Sequence, residues 1–356
     1  MKKKAQMIPK VHPSFKLNGR SLDHEGLMIV AYSYVKEGDA WEKEVGDFLL
    51  NWLDDFEVLT VNTSGSTGQP KSLKINKQFF LNSAAITANY FDLIPGKQVL
   101  CCLPLQYIAG KMMFIRAIQH GWHLDCVEPT SQPLKKAEKR YDFTAMTPFQ
   151  LSQSLDNIHK SRVTLLGGSP VTATLVGQLQ GKHSRVYQSY GMTETCSHVA
   201  IRQLYPHYEA CYTAVGKTTF SLSKDQTLVI DAPQVSPDLL TTNDLVLLHN
   251  EQKFELLGRL DDVINSGGVK LHPSKIEDKL SSQISNRFFI GSLPDNDLGE
   301  QVVLIVESES SFDIDFNDLD KFEIPRAIYF LPTLVETNTG KIQKKKSIEQ
   351  ALLHAS

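Results

Sequence analysis

Long apolar runs are missing from this chain. No stretch approaches the ~18 uninterrupted apolar residues that a membrane-crossing helix needs. The N-terminal MKKK has no apolar segment behind it, so a secretory leader is not expected. An excess of either charge sign is missing too. Lys and Arg number 37 against 40 Asp and Glu, for a net charge of −3, which argues against a nucleic-acid binder working through bulk electrostatics. The lysines of MKKK and of KKK at 344–346 then read as solvated charges. Paired cysteines are absent: Cys101, Cys102, Cys126, Cys196 and Cys211 form no CxxC and no metal-ligand spacing. Five scattered thiols point to reduced cysteines in a cytoplasm rather than to a disulfide framework. Low-complexity tracts and internal repeats are also missing. What remains is an ordinary globular composition, 41% apolar and 22% charged, over 356 residues, enough for about two domains.

Helical spacing of Trp41, Val45, Phe48, Leu49 and Trp52 predicts an amphipathic helix over 41–53. From 57 onward apolar strands alternate with helix-period segments. VLTVN (58–62) and SLKIN (72–76) come first, followed by a helix capped by Asn76. QVLCCLP (98–104), a helix near 109–120 closed by Gly121, HLDCV, FTAM, VTLLGG and RVYQSYG continue the pattern. Such alternation predicts an α/β domain of layered sheets and helices with a largely parallel sheet. After about 205 the pattern shortens to TLVID, DLVLL and KFELL. Beyond GRLDDVINSGG (258–268) it becomes a compact helix–strand–helix–strand–helix series: SKIEDKLSSQI, QVVLIVE, an unassigned helix, AIYFL and a basic C-terminal helix. The expected division is a large domain over 1–258, a hinge at 259–262 and a small mobile α+β domain over 263–356.

The stretch TSGSTGQPK, residues 63–71, gathers small hydroxyls and glycines beside one lysine, a composition suited to phosphate. It nearly fits GxxxxGK[ST], with Pro70 in place of the last glycine. Proline has no N–H to donate, and the segment joins two strand-like pieces instead of opening a helix. It therefore reads as a hairpin tip, either wrapping phosphates or simply a Ser/Gly turn.

TSGSTGQPK resembles the phosphate loop of the adenylate-forming acyl-CoA synthetases, the superfamily that includes luciferases and peptide-synthetase adenylation domains. Further motifs follow in the family's order: LLGGSP (165–170), YGMTET (190–195), TTNDLV (241–246), GRLDDVINSGGVKLHPSKIE (258–277) and TNTGKIQKK (337–345). The resemblance implies an acid–thiol ligase that forms an acyl-adenylate from ATP and then passes the acyl group to coenzyme A, with Mg2+. Pyrophosphate would lie against Thr63, Ser64, Gly65, Ser66, Thr67, Gly68 and Lys71. Gly168, Ser169, Ser189, Tyr190 and Gly191 would line the nucleotide, and Asp244 and Arg259 would take the ribose. Thr193 would donate to the α-phosphate, Glu194 would hold the metal, and Lys341 would be the adenylation catalyst. Asp261 would be the pivot, with Gly267, Gly268 and Lys270 facing the pantetheine arm.

Two departures stand out. Only about 60 residues precede the phosphate loop, against far more in typical members, so an N-terminal layer is expected to be reduced. This shortening resembles the compact o-succinylbenzoate–CoA ligases of menaquinone biosynthesis. In LPLQYIAGKMM (103–113) the family's usual histidine is replaced by Tyr107. A diacid of that kind needs a cation for its second carboxylate. Lys111 is the sequence candidate, with Tyr107, Thr195, Ser197 and His198 around the acyl group. Other expectations stay open: a ligase for another aryl or short carboxylic acid, or an adenylation domain loading a carrier-protein thiol. The partner is in each case a small-molecule carboxylic acid, and the oligomeric state is left open, a homodimer included.

Overall fold

A computed structural model describes residues 10–62, 72–281, 283–336 and 342–355. The phosphate-loop candidates Thr63 to Lys71 and the catalytic candidate Lys341 therefore lie outside the described residues.

The larger body is organised by a 13-stranded sheet with two halves of different construction. Parallel pairing runs from Lys16–Leu17 through His123–Cys126, Gln98–Cys101, Phe143–Met146 and Val163–Leu166 to Arg185–Gly191. The central strands among these, QVLC, FTAM and VTLL, are largely apolar and buried, as expected of strands covered on both faces. From Arg185–Gly191 onward pairing is antiparallel, through His198–Tyr205, Tyr212–Ala214, Lys253–Arg259, Leu240–Asn250, Thr227–Asp231 and Thr219–Leu222, and at the opposite edge the short Arg20–Ser21 is antiparallel to Lys16–Leu17. Arg185–Gly191 is thus the strand at which the sheet changes character.

Helices cover the parallel half. Asn76 caps the helix Lys77–Phe91 by accepting from the Gln78 amide at 2.8 Å. Gly121, with φ of 67°, closes Ile108–His120. Ala40–Leu53 buries Val45, Phe48, Leu49 and Trp52, the residues whose spacing predicted it. A preceding helix, His24–Glu37, packs on it and has no counterpart among the predicted elements.

Val58–Asn62 and Ser72–Asn76 pair antiparallel as a separate two-stranded ribbon, and Asn62 and Ser72, the residues flanking 63–71, are register partners. Lys77, only 1% exposed, ties this ribbon to the helix Ala40–Leu53. Its Nζ donates to Asp54 Oδ1 at 2.7 Å and to the Asp54 carbonyl at 2.9 Å.

Beyond Arg259 a second, five-stranded sheet contains Ile264–Ser266, Val269–Leu271, Phe288–Asp295, Gly299–Glu307 and Ala327–Leu331. The helices Pro273–Leu280 and Lys344–Ala355 accompany it. The helix expected between QVVLIVE and AIYFL does not form: 308–326 is turn and irregular chain. Asp and Asn side chains there bond nearby backbone, as when Asp315 accepts from the Asn317 amide at 2.9 Å, which competes with helical hydrogen bonds. Among the described residues no helix is long and apolar enough to cross a membrane.

Removing the partner of a buried ammonium leaves an uncompensated charge. Asp54→Ala is expected to lower unfolding free energy by about 2–3 kcal/mol in urea titrations, below the ~3–5 of a dry pair because Asp54 is partly wet. An unchanged midpoint contradicts the role given to the pair.

Candidate active site

In open α/β sheets, ligands collect beyond the carboxyl ends of the parallel strands. Two such ends lie side by side here. Val163–Leu166 runs into Gly167, Gly168 and Ser169, and Arg185–Gly191 runs into Met192 and the short 3-10 turn Thr193–Thr195. The Ser189 hydroxyl donates to the Leu166 carbonyl at 2.7 Å, fastening one end to the other. Gly191 has no room for a side chain: an added Cβ would stand 2.2 Å from the Ser197 carbonyl oxygen. Its neighbour Tyr190 is thereby held close to the start of the next strand.

Tyr190 is the hub. Its ring packs against Tyr212 and Phe254, with centroids at 5.7 and 5.0 Å, and its hydroxyl donates to Asp244 Oδ2 at 2.5 Å. Burial, reinforced by the Asp244 charge, pushes the phenol far above its ordinary pKa, so it stays a donor at neutral pH. Asp244 pairs across the hairpin with Arg259, whose Nη1 lies 3.7 Å from Asp244 Oδ1. Arg259 in turn grips Asp261 with two bonds, 2.9 and 3.0 Å, and those bonds, ahead of the other influences on it, raise its pKa. Residues 190, 244, 259 and 261, drawn from three separate segments, form one hydrogen-bonded and ionic chain. Glu194, half-buried on the turn beside it, makes no hydrogen bond or ion pair among the described residues. A carboxylate so placed suits a hard cation that is otherwise satisfied by phosphate oxygens and water.

The acyl candidates separate into two groups. Lys111 folds back: its Nζ donates to the Leu105 carbonyl, and burial, partly countered by Glu44, lowers its pKa to about 8. Tyr107 caps the same helix, and its phenol pKa is raised by burial and then by Glu44. Both therefore belong with Glu44. Thr195 is fully buried, and its hydroxyl bonds the carbonyls of Met192 and Ser197, which makes it a support of the turn and not a surface offered to substrate. Ser197 and His198 instead meet Arg116.

Arg116 is the residue that sequence reasoning missed. It is 2% exposed on the helix Ile108–His120, with Nε donating to Thr87 Oγ1 at 3.0 Å and Nη2 to Ser197 Oγ at 2.7 Å. No carboxylate among the described residues pairs with it. Burial lowers its pKa to about 9, so it remains a cation at neutral pH. His198 lies against the same group, its Nε2 3.3 Å from Thr87 Oγ1 and its Nδ1 3.3 Å from Ser197 Oγ. The available signal was an arginine inside MMFIRAI, where every neighbour is apolar.

Gly267 and Gly268, with φ of 60° and 82°, form the two-residue turn between Ile264–Ser266 and Val269–Leu271, which demands positive φ at both positions. They and Lys270 are exposed.

Residues 37–237 match the AMP-binding enzyme family. The chain belongs to that family. It is similar to the 2-succinylbenzoate–CoA ligase of Listeria monocytogenes, 25% identical over 362 residues that cover 90% of this chain and 75% of that protein. A solved acyl-CoA synthetase (AMP-forming)/AMP-acid ligase II-like protein from Dyadobacter fermentans is 32% identical, covering 91% of this chain and 98% of the other at a TM-score of 0.60. The o-succinylbenzoate coenzyme A synthetase of Bacillus subtilis, solved with ATP and magnesium, superposes with a TM-score of 0.71 at 21% identity, over 85% of this chain and 74% of the other, and supports the fold.

In this AMP-binding enzyme, burial and then the Arg116 charge hold His198 well below its usual 6.5. The unfolded chain takes up a proton there as pH falls below 6.5, while the folded chain keeps a neutral ring. Stability tied to this ring is thus complete above that pH and is lost below it, at up to about 1.4 kcal/mol per pH unit. Urea unfolding of His198→Asn at about pH 7.5 and about pH 5.5 is expected to show a shallower acid loss than the parent. His120, His123 and His272, also lowered, keep the remainder. Equal losses contradict the assignment.

Proposed function

We propose that this enzyme is an ATP-dependent, AMP-forming acid–CoA ligase whose acid is o-succinylbenzoate, producing o-succinylbenzoyl-CoA for menaquinone synthesis. The observation that carries the acyl reading is Arg116, a desolvated cation with no anion paired to it among the described residues. A buried guanidinium held by two hydroxyls, with donors to spare, suits a carboxylate that arrives with the substrate. The names of the Listeria and Bacillus relatives point to the same diacid.

The nucleotide side follows from the chain of residues around Tyr190. Asp244 accepts from the ribose hydroxyls, and Arg259 secures it. The Tyr190 ring, braced by Tyr212 and Phe254, is a fixed platform for adenine beside Gly168, Ser169 and Ser189. Thr193 donates to the α-phosphate. Glu194 would hold Mg2+, which would offset charge on the phosphate oxygens. Thr63 to Gly68 and Lys71 take the pyrophosphate portion.

One carboxylate of the acid attacks the α-phosphorus. An O–P bond forms, the bond to pyrophosphate breaks, and pyrophosphate leaves. The main obstacle is bringing one anion onto another, so positioning and fixed cations are the catalyst. Arg116 holds the second carboxylate away from the reaction, and Lys341 supplies charge at the first. The coenzyme A thiol then loses its proton to solvent, its sulfur bonds the acyl carbon, and the bond from that carbon to the phosphate oxygen breaks as AMP departs. For this step the segment beyond 259–262 turns about Asp261, bringing Gly267, Gly268 and Lys270 to the pantetheine arm. All three substrates are small water-soluble molecules, which suits work in the cytoplasm.

Thioester formation with Arg116→Met is expected to lose on the order of 10²–10³ in kcat/KM for o-succinylbenzoate, as for truncating one member of a buried charge pair. Activity toward an analogue lacking one carboxylate should change little. The free variant should be as stable as the parent or more so, because an unpaired buried charge is removed. A parental rate with the diacid rejects the substrate assignment. Lys341→Ala is expected to bind ATP normally while adenylating on the order of 10²–10³ more slowly; a full rate removes Lys341 from the mechanism.

A further inference from the structure

The spacing of the cysteines hides a site that the fold assembles. Cys211, His249 and Glu255 come from three segments, yet one ligand atom of each, thiol, imidazole nitrogen and carboxylate oxygen, lies within 4.8 Å of the other two. Sheet register explains the convergence. Tyr212 pairs with Phe254 and Leu247 with Glu255, so Cys211, Glu255 and His249 fall on neighbouring strands. Tyr212 and Phe254 are buried in the core, and strand alternation turns the residues beside them to the opposite, outer face. Cys211 is half-buried, unlike the other four cysteines, all of which are buried.

We propose that Cys211, His249 and Glu255 form a site for a borderline-soft divalent cation of the zinc class, with water as the fourth ligand. The donor set makes the choice. Thiolate and imidazole disfavour Mg2+ and Ca2+, which take oxygen ligands, while one sulfur, one nitrogen and one oxygen suit tetrahedral Zn2+ or Co2+. Bonds of ~2.0–2.3 Å place such ligand atoms roughly 3.3–3.8 Å apart, within reach of side-chain rotation from the observed separation. The Cys211 thiol gives up its proton to solvent when its sulfur bonds the ion. A bound ion would clamp Tyr212–Ala214 to the hairpin of Leu240–Asn250 and Lys253–Arg259. That same hairpin presents Asp244 and Arg259 at its far end. This site takes no part in the adenylation chemistry and stands or falls separately from it.

The test uses the full chain with magnesium saturating, titrated with Co2+. The expected result is one equivalent bound with an intense thiolate-to-cobalt band and tetrahedral visible absorption. Cys211→Ser should abolish the band. His249→Ala should weaken binding by at least the roughly 10–100-fold that loss of a ligand's supporting partner costs. Zn2+ should also protect from Ellman's reagent the one thiol of the native protein that reacts. Absence of the band, its persistence in Cys211→Ser, unchanged affinity in His249→Ala, or an equally reactive thiol under saturating Zn2+ each overturns the site.

Discussion

Inside the large sheet, the strand between its parallel and antiparallel halves is what the candidate site depends on. Arg185–Gly191 pairs parallel with Val163–Leu166 on one side and antiparallel with His198–Tyr205 on the other. Its carboxyl end must therefore accommodate a ligand-facing opening and a tight return in the space of a few residues. Gly191 permits that approach and Thr195 ties the turn. Tyr190 is left where its hydroxyl can reach Asp244 from the antiparallel half. A change of sheet character thus becomes a bond between two halves of the candidate site.

From that bond the connection runs outward. Asp244 meets Arg259 at the last strand of the large sheet, and Arg259 holds Asp261 just before the second sheet begins. The residue suited to ribose and the residue suited to a pivot share one guanidinium. On the function proposed above, nucleotide occupancy would be linked to the freedom of the C-terminal portion, because a ligand drawing on Arg259 would compete with Asp261 for the same donors. The acyl side has a different physical basis. Arg116 and His198 sit in a dry layer between Lys77–Phe91 and the sheet, where a cation is costly unless an anion joins it. In the function proposed above, such an arrangement would sacrifice stability in the free protein in favour of a charged partner.

Much of this was readable in the sequence. Segments such as FTAM and RVYQSYG coincide with their strands, and Asn76 and Gly121 cap the helices they were expected to cap. These signals are local, and local signals survive folding. Failures came where the deciding information was three-dimensional. Lys111 and Arg116 share a helix and a charge, and only packing shows that the first turns to Leu105 and Glu44 while the second meets Ser197 and Thr87. Thr195 looked available because its burial cannot be seen in YGMTET. A helix was expected somewhere between QVVLIVE and AIYFL, yet Asp and Asn bonding to nearby backbone prevailed. Cys211 acquires His249 and Glu255 as neighbours only through strand register.

The account's central claim, that this fold activates a diacid as its adenylate, is tested most directly by ATP–pyrophosphate exchange without coenzyme A. Labelled pyrophosphate should enter ATP when o-succinylbenzoate is present, and far more slowly when an acid with a single carboxylate replaces it. Exchange that ignores the second carboxylate, or that never depends on the acid, contradicts the account.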